Sequence, residues 1–321
     1  LTYTGNGGNQ TINVGFQPDF VWIKSRDDTS SHSWTDSARG NSVVLQSNEN
    51  GAQASGQITL NANGFSMTNG NALRNNAGVR YVAFCWKVNG GTASTLTAGS
   101  INSTVQVNTD TGISLVKYTG TGANATVAHG LGATPEMIIF KNYGGVAGWK
   151  TWTDQLSGTT TKVIELNDPT AEMTPTNAFN ATAPSSTLIS LGSYSDVNSS
   201  NGTFIAYCFK SVEGFSKFGS YRGNGDAVGT IVETGFEPAF LMIKRIDSSD
   251  NWYIVDNVRS TSNPRQAAVF ANLNDAEYPT YGAKVDFLSN GFQIASTDNS
   301  VNNSGAKYQY MVFAADPDTE A

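Results

Sequence analysis

Gly15-Phe16-Gln17-Pro18-Asp19-Phe20-Val21-Trp22-Ile23-Lys24 returns near the other end of the chain as Gly235-Phe236-Glu237-Pro238-Ala239-Phe240-Leu241-Met242-Ile243-Lys244. Thr134-Pro135-Glu136-Met137-Ile138-Ile139-Phe140-Lys141 is a middle version, and the three prolines and three lysines fall in register. Each run is short, rich in β-branched and aromatic residues and bounded by Gly and Pro, which predicts a strand. Proline is tolerated at the start of a strand because a ladder hydrogen bond is not yet required there.

Other elements repeat around this one. Tyr3-Thr4-Gly5-Asn6-Gly7 precedes it and recurs as Tyr118-Thr119-Gly120-Thr121-Gly122 and Tyr221-Arg222-Gly223-Asn224-Gly225. It reads as a strand running into a turn whose positive φ glycine supplies without steric cost. A third element follows: Trp34-Thr35-Asp36 with Arg39, Trp152-Thr153-Asp154 with Ser157, and Trp252 through Asp256 with Arg259. A closing strand, Tyr81 to Trp86, is answered by Phe204 to Phe209 and Tyr308 to Phe313.

Each copy is about 100 residues long, the size of a domain rather than of a solenoid repeat. The reading is all-β, with three tandem β-sandwich repeats of jelly-roll or concanavalin-like type: repeat 1 at 1–90, repeat 2 at 113–212 and repeat 3 at 213–321. Segment 91–112 is a Gly/Ser/Thr-rich linker or an edge strand, since Ile101, Val105 and Val107 alternate with polar residues. The shorter junction 211–217 predicts closer contact between repeats 2 and 3 than between 1 and 2.

Composition narrows the function classes. Among 321 residues 14% are charged, and the net charge of −7 offers no footprint for a phosphate backbone, so nucleic acid is not an expected partner. No apolar run reaches the roughly 18 residues of a membrane helix, and no membrane partner is expected. Cys85 and Cys208 are too few for a disulfide framework or metal site and are expected as buried free thiols.

Residues with catalytic potential are sparse. His32 and His129 lie in Ser- or Gly-rich stretches without a nucleophile motif and read as loop and turn residues. Asp36, Asp154 and Asp256 occur once per copy, as scaffold residues do, and the pairs Asp36–Arg39 and Asp256–Arg259 read as turn-fixing charge-assisted hydrogen bonds. Asp27-Asp28, Asp247 with Asp250, and Asp316 with Asp318 match no calcium loop and read as solvated charge. No catalytic residue, metal ligand or cofactor is expected, the chain is not read as an enzyme, and no ligand-binding residue is singled out. Trp34, Trp149, Trp152 and Trp252 read first as core residues and second as platforms for sugar rings.

The phrases Asn13 through Lys24, Thr119 through Val127, and Val285-Asp286-Phe287-Leu288-Ser289-Asn290-Gly291-Phe292 resemble repeat-containing virion proteins of tailed bacteriophages, especially of marine phages and cyanophages. The resemblance implies a non-enzymatic structural protein on the surface of a phage particle: a tail fibre, another appendage or a capsid-surface component. The implied partners are other copies of itself, as a trimer or higher homo-oligomer, and other virion proteins. The alternative is a host-attachment module that recognises a host surface polysaccharide, for which an uncharged Asn/Ser/Thr surface is suited.

Overall fold

Side chains alternate along a strand, so the unbroken apolar run that opens the strand Phe20–Ser25 needs cover on both faces. Every residue of that strand is buried. The computed structural model describes residues 1–315, and its regular secondary structure is almost entirely antiparallel β, with two helices of four residues each, Ser195–Asn198 and Asn299–Asn302.

Each third of the chain builds one large sheet in the same strand order. In the first third the opening strand Thr2–Thr4 pairs with the closing strand Arg80–Trp86, which pairs with the Pro strand Phe20–Ser25 and through it with the acid strand Ser33–Asp36. The last third repeats this with Ser216–Arg222, Lys307–Ala314, Pro238–Arg245 and Tyr253–Asp256, then adds Val269–Phe270. The middle third uses Ile113–Thr119, Thr203–Phe209, Met137–Asn142, Lys150–Thr153 and Ile164–Glu165. Segment 91–112 supplies two further strands here, Ser94–Leu96 and Ser103–Asn108, on the outer edge of the opening strand. A small sheet accompanies each large one: Gln10–Asn13, Gly64–Met67 and Ile58–Asn61; Ala125–Ala128 and Leu188–Leu191; and Ile231–Glu233, Gly291–Ile294 and Val285–Leu288.

Alternation sorts the Pro strands onto two cores. Val21 and Ile23, Ile138 and Phe140, and Leu241 and Ile243 face their own small sheet in three separate clusters. Phe20 and Trp22, Met137 and Ile139, and Phe240 and Met242 turn the other way and enter one cluster shared by all three thirds. Aromatic contacts cross every boundary within it: Trp34 and Trp149 lie 4.8 Å apart, Phe209 and Phe218 5.6 Å, and Phe84 and Phe240 4.8 Å. Such pairs add about 0.5–1.5 kcal/mol each beyond area burial.

The thirds close into a ring. The backbone N–H of Gln53 donates to Tyr143, that of Glu172 to Ile246, and that of Glu277 to Arg26, each at 2.9 Å. The same bond thus joins first to second, second to third and third back to first. The short junction 211–217 and the longer segment 91–112 thus lead into seams that carry the same bond.

The Tyr-x-Gly-x-Gly element is explained by a clamp also present three times. Gly5, Gly120 and Gly223 press against the backbone of Asn76, Ser199 and Asn303, where a Cβ would collide. Gly7, Gly122 and Gly225 have φ of +71°, +72° and +77°, favoured for glycine. Between them, the N–H groups of Asn6, Thr121 and Asn224 donate to the side-chain oxygens of Asn75, Asn198 and Asn302 at 2.9, 2.8 and 3.0 Å. The amide nitrogens of those buried asparagines donate onward to the carbonyls of Gly8, Ala123 and Asp226. The tyrosine hydroxyls of Tyr3, Tyr118 and Tyr221 donate to the carbonyls of Arg74, Val197 and Val301, one residue before each asparagine. Replacing Asn198 by Ala strands the Thr121 N–H and two carbonyls, and is expected to lower stability by about 3 kcal/mol in urea unfolding.

Candidate functional site

Cross-strand pairing corrects the alignment of the third element. Phe20 pairs with Asp36, Met137 with Thr153 and Phe240 with Asp256, so Thr153, not Asp154, stands at the acid position. The repeated Trp-Thr-Asp triplet is one residue out of structural register, and such a slip sends side chains to opposite faces. Trp34 accordingly enters the shared core while Trp152 enters the core of its own third. The residues that correspond are His32, Trp149 and Trp252.

All three act at a seam. Trp149 Nε1 donates to the carbonyls of Gln46 and Glu49 at 3.0 Å, and Trp252 Nε1 to that of Glu165 at 2.7 Å. His32 Nε2 lies 2.9 Å from the Phe270 carbonyl and 3.1 Å from that of Leu273, while Nδ1 accepts from Trp22 Nε1 at 2.7 Å. These partners assign the proton to Nε2, so the imidazole does the work of an indole N–H. His32 lies in a loop, just ahead of the strand Ser33–Asp36, and is fully buried at the seam. His129 is also buried, with Nδ1 accepting from Leu131 N–H and Nε2 facing the Ser185 carbonyl.

Two of the in-register lysines join the same seams. Lys24, Lys141 and Lys244 are fully buried. Lys141 Nζ donates to Asn50 of the first third at 2.9 Å and Lys244 Nζ to Pro169 of the second at 3.0 Å. Lys24 Nζ donates to the carbonyls of Ser25 and Asp28. Desolvation lowers each ammonium to a pKa of about 8.

Asp36 and Arg39 form a fully buried pair at 2.6 Å, with Arg39 Nη2 on the Trp34 carbonyl and the Tyr207 hydroxyl donating to Asp36 from the middle third at 2.7 Å. Asp256 and Arg259 repeat the pair at 2.5 Å, and Arg259 reaches Glu277, which also takes two bonds from Arg26. In the middle third Ser157 bonds Glu172 instead. Arg74, which sequence reasoning did not single out, is buried where the other thirds place Val197 and Val301; its Nη1 donates to Ser33, and desolvation lowers its pKa to about 10.

The remaining candidates disperse. All six tryptophans are at most 7% exposed. Asp27 is held by Arg80, and Asp247 by Arg245 and the Lys307 N–H; Asp316 and Asp318 lie outside the described residues. Among the described residues no three His, Cys, Asp or Glu side chains gather as metal ligands, and no helix is long and apolar enough to cross a membrane. Cys85 and Cys208 are free thiols facing separate cores.

Two concave features lie between the first and third thirds. A polar one of about 250 Å³ holds Arg26, Arg80 and Arg259, each paired with a carboxylate. A larger cavity of about 590 Å³ is walled by Phe84, Trp86, Phe215, Phe240, Val258 and Phe313 and opens the end of the shared core to the surface.

A family model described as a domain of unknown function, DUF7483, matches residues 1–317. No curated protein matches the chain.

Two outcomes follow from the seam chemistry. Burial depresses His32 to a pKa of about 3, whereas the unfolded imidazole titrates near 6.5. Between those values the unfolded chain holds the extra proton. The His32 contribution is therefore complete above about pH 6.5 and declines as pH falls, by up to about 1.4 kcal/mol per pH unit. Urea unfolding of wild type and His32→Gln across pH 4–7 is expected to show a shallower acid loss in the variant. Arg39→Ala leaves Asp36 buried without its cation and is expected to cost about 3–5 kcal/mol, read as a fall in Tm with attachment to any partner unchanged in the folded fraction.

Proposed function

The chain belongs to the DUF7483 family, and we propose that it is a non-enzymatic structural component of a bacteriophage particle: a tail fibre, another appendage or a capsid-surface protein. In this reading each third is a β-sandwich module of jelly-roll or concanavalin-like type, formed by one large sheet and its small sheet. The observation that carries the proposal is the ring itself. Three modules share one core and exchange the same backbone bond at every seam, so the chain behaves as one rigid block. The chemistry-bearing side chains described above are spent on holding that block together. Its outer small sheets and loops are rich in Asn, Ser, Thr and Gly, a surface suited to a particle exterior. Its partners in this reading are further copies of itself and other virion proteins.

Host-glycan recognition loses the aromatic platforms it would use most readily, because every tryptophan is in a core. Cryo-electron microscopy of the intact particle decides between the roles. A repeating lattice or shaft with the outer faces packed between subunits is the expected result. Isolated copies at a distal tip with free faces would favour attachment instead, and absence from purified particles would overturn the proposal.

A further inference from the structure

Lys150, at the start of the strand Lys150–Thr153, stands directly opposite Glu165 on Ile164–Glu165. The next pair along is hydrogen-bonded, since the Leu166 N–H donates to the Trp149 carbonyl at 2.9 Å. Alternation therefore makes Lys150 and Glu165 a non-hydrogen-bonded pair, the kind whose side chains lie closest. Lys150 is buried, and its Nζ contacts Glu165 Oε1 and lies 3.1 Å from Asp196 Oδ2. Gly148 covers the pair: a Cβ there would collide with Glu165 Oε1 and stand 3.0 Å from Lys150 Nζ. The Tyr194 ring centre is 5.6 Å from the ammonium, and its hydroxyl donates to Asp196 Oδ2 at 3.3 Å.

The other thirds do without this chemistry. Counting back three residues from Asp36, Thr153 and Asp256, which occupy one position of the repeat, puts Ser33 and Tyr253 where the middle third has Lys150. Tyr253 stands opposite Phe270 with the ring centres 6.1 Å apart, so an uncharged pair meets the needs of the fold at this point. The middle third instead gathers an amine, a carboxyl group in contact with it and a second carboxylate beside both. Desolvation lowers the Lys150 pKa, against the opposing pull of Asp196, and so favours the neutral amine, which is the nucleophilic form.

We propose that Lys150 and Glu165 are joined by an isopeptide bond that the folded chain forms by itself, with Asp196 as the proton carrier. Lys150 Nζ attacks Glu165 Cδ, and Asp196 passes two of the three ammonium protons in turn to one Glu165 oxygen. The Nζ–Cδ bond forms, the bond from Cδ to that oxygen breaks, and the oxygen leaves as water. One ammonium and one carboxylate thus become one amide and one water, with no oxidant or cofactor. Fixed contact between amine and carboxyl supplies the effective concentration that condensation in water otherwise lacks. The bond pins a strand pair that serves both seams of the middle third, since Trp149 reaches the carbonyls of Gln46 and Glu49 and the Glu165 carbonyl accepts from Trp252. The inference is independent of the phage reading.

The test is the intact mass of the purified full chain, measured by mass spectrometry under denaturing conditions. Wild type is expected one water below its sequence mass, and Lys150→Arg, which keeps the cation but not the nucleophile, at its full sequence mass. Asp196→Asn is expected to accumulate the unlinked form. Trypsin is expected to release from wild type the segment 142–162, uncut after Lys150, joined to the segment 163–210. Wild type at its full sequence mass would reduce the site to a buried ion pair and overturn the proposal. A water loss that persists in Lys150→Arg, or that maps to other tryptic segments, would do the same, and complete linkage in Asp196→Asn would overturn the part given to Asp196.

Discussion

A sheet that is apolar on both faces must be covered twice, and the rest of this architecture answers that constraint. One small sheet covers one face of each large sheet. The other face is covered by the large sheets of the other two thirds, which meet in a single aromatic core. None of the three thirds can expose that face without placing residues such as Trp22, Ile139 and Met242 in water. At about 25 cal/mol per Å² of apolar surface, this burial is the dominant attraction between the thirds.

Apolar contact is non-directional, so the polar groups at the seams set the register. Buried lysines from equivalent positions on the Pro strands are solvated by carbonyl oxygens, at two of the seams from the neighbouring third. The loss of hydration that depresses their pKa values is partly offset by those fixed dipoles. Trp149, Trp252 and His32 supply a ring N–H to carbonyls across each seam. That histidine fills an indole position shows that the seam requires a flat donor at that point, while Trp22 supplies the bond that holds its tautomer.

The repeats, the strand character of the Pro and closing elements and the turn role of the glycines were all legible in the sequence, because each depends on local spacing and backbone sterics. Two features were concealed. The match between Trp34-Thr35-Asp36 and Trp152-Thr153-Asp154 is strong as text and wrong in space, since register is set by cross-strand pairing and not by the order of letters. The asparagine clamp was missed because Asn75, Asn198 and Asn302 lie far in sequence from the turns they hold, among many other asparagines. The only local signal was a tyrosine-glycine turn repeated without its distant partner.

By itself the sequence determined that the chain is all-β, threefold repeated, acidic and sparing in titratable side chains, since composition and local periodicity report directly on strand formation and surface charge. Only the tertiary structure decided that the three thirds share a core and that two of the buried lysines, His32 and two of the tryptophans serve the seams. Those properties depend on contacts between residues remote in the chain, where packing and burial, rather than neighbouring residues, decide what each side chain does.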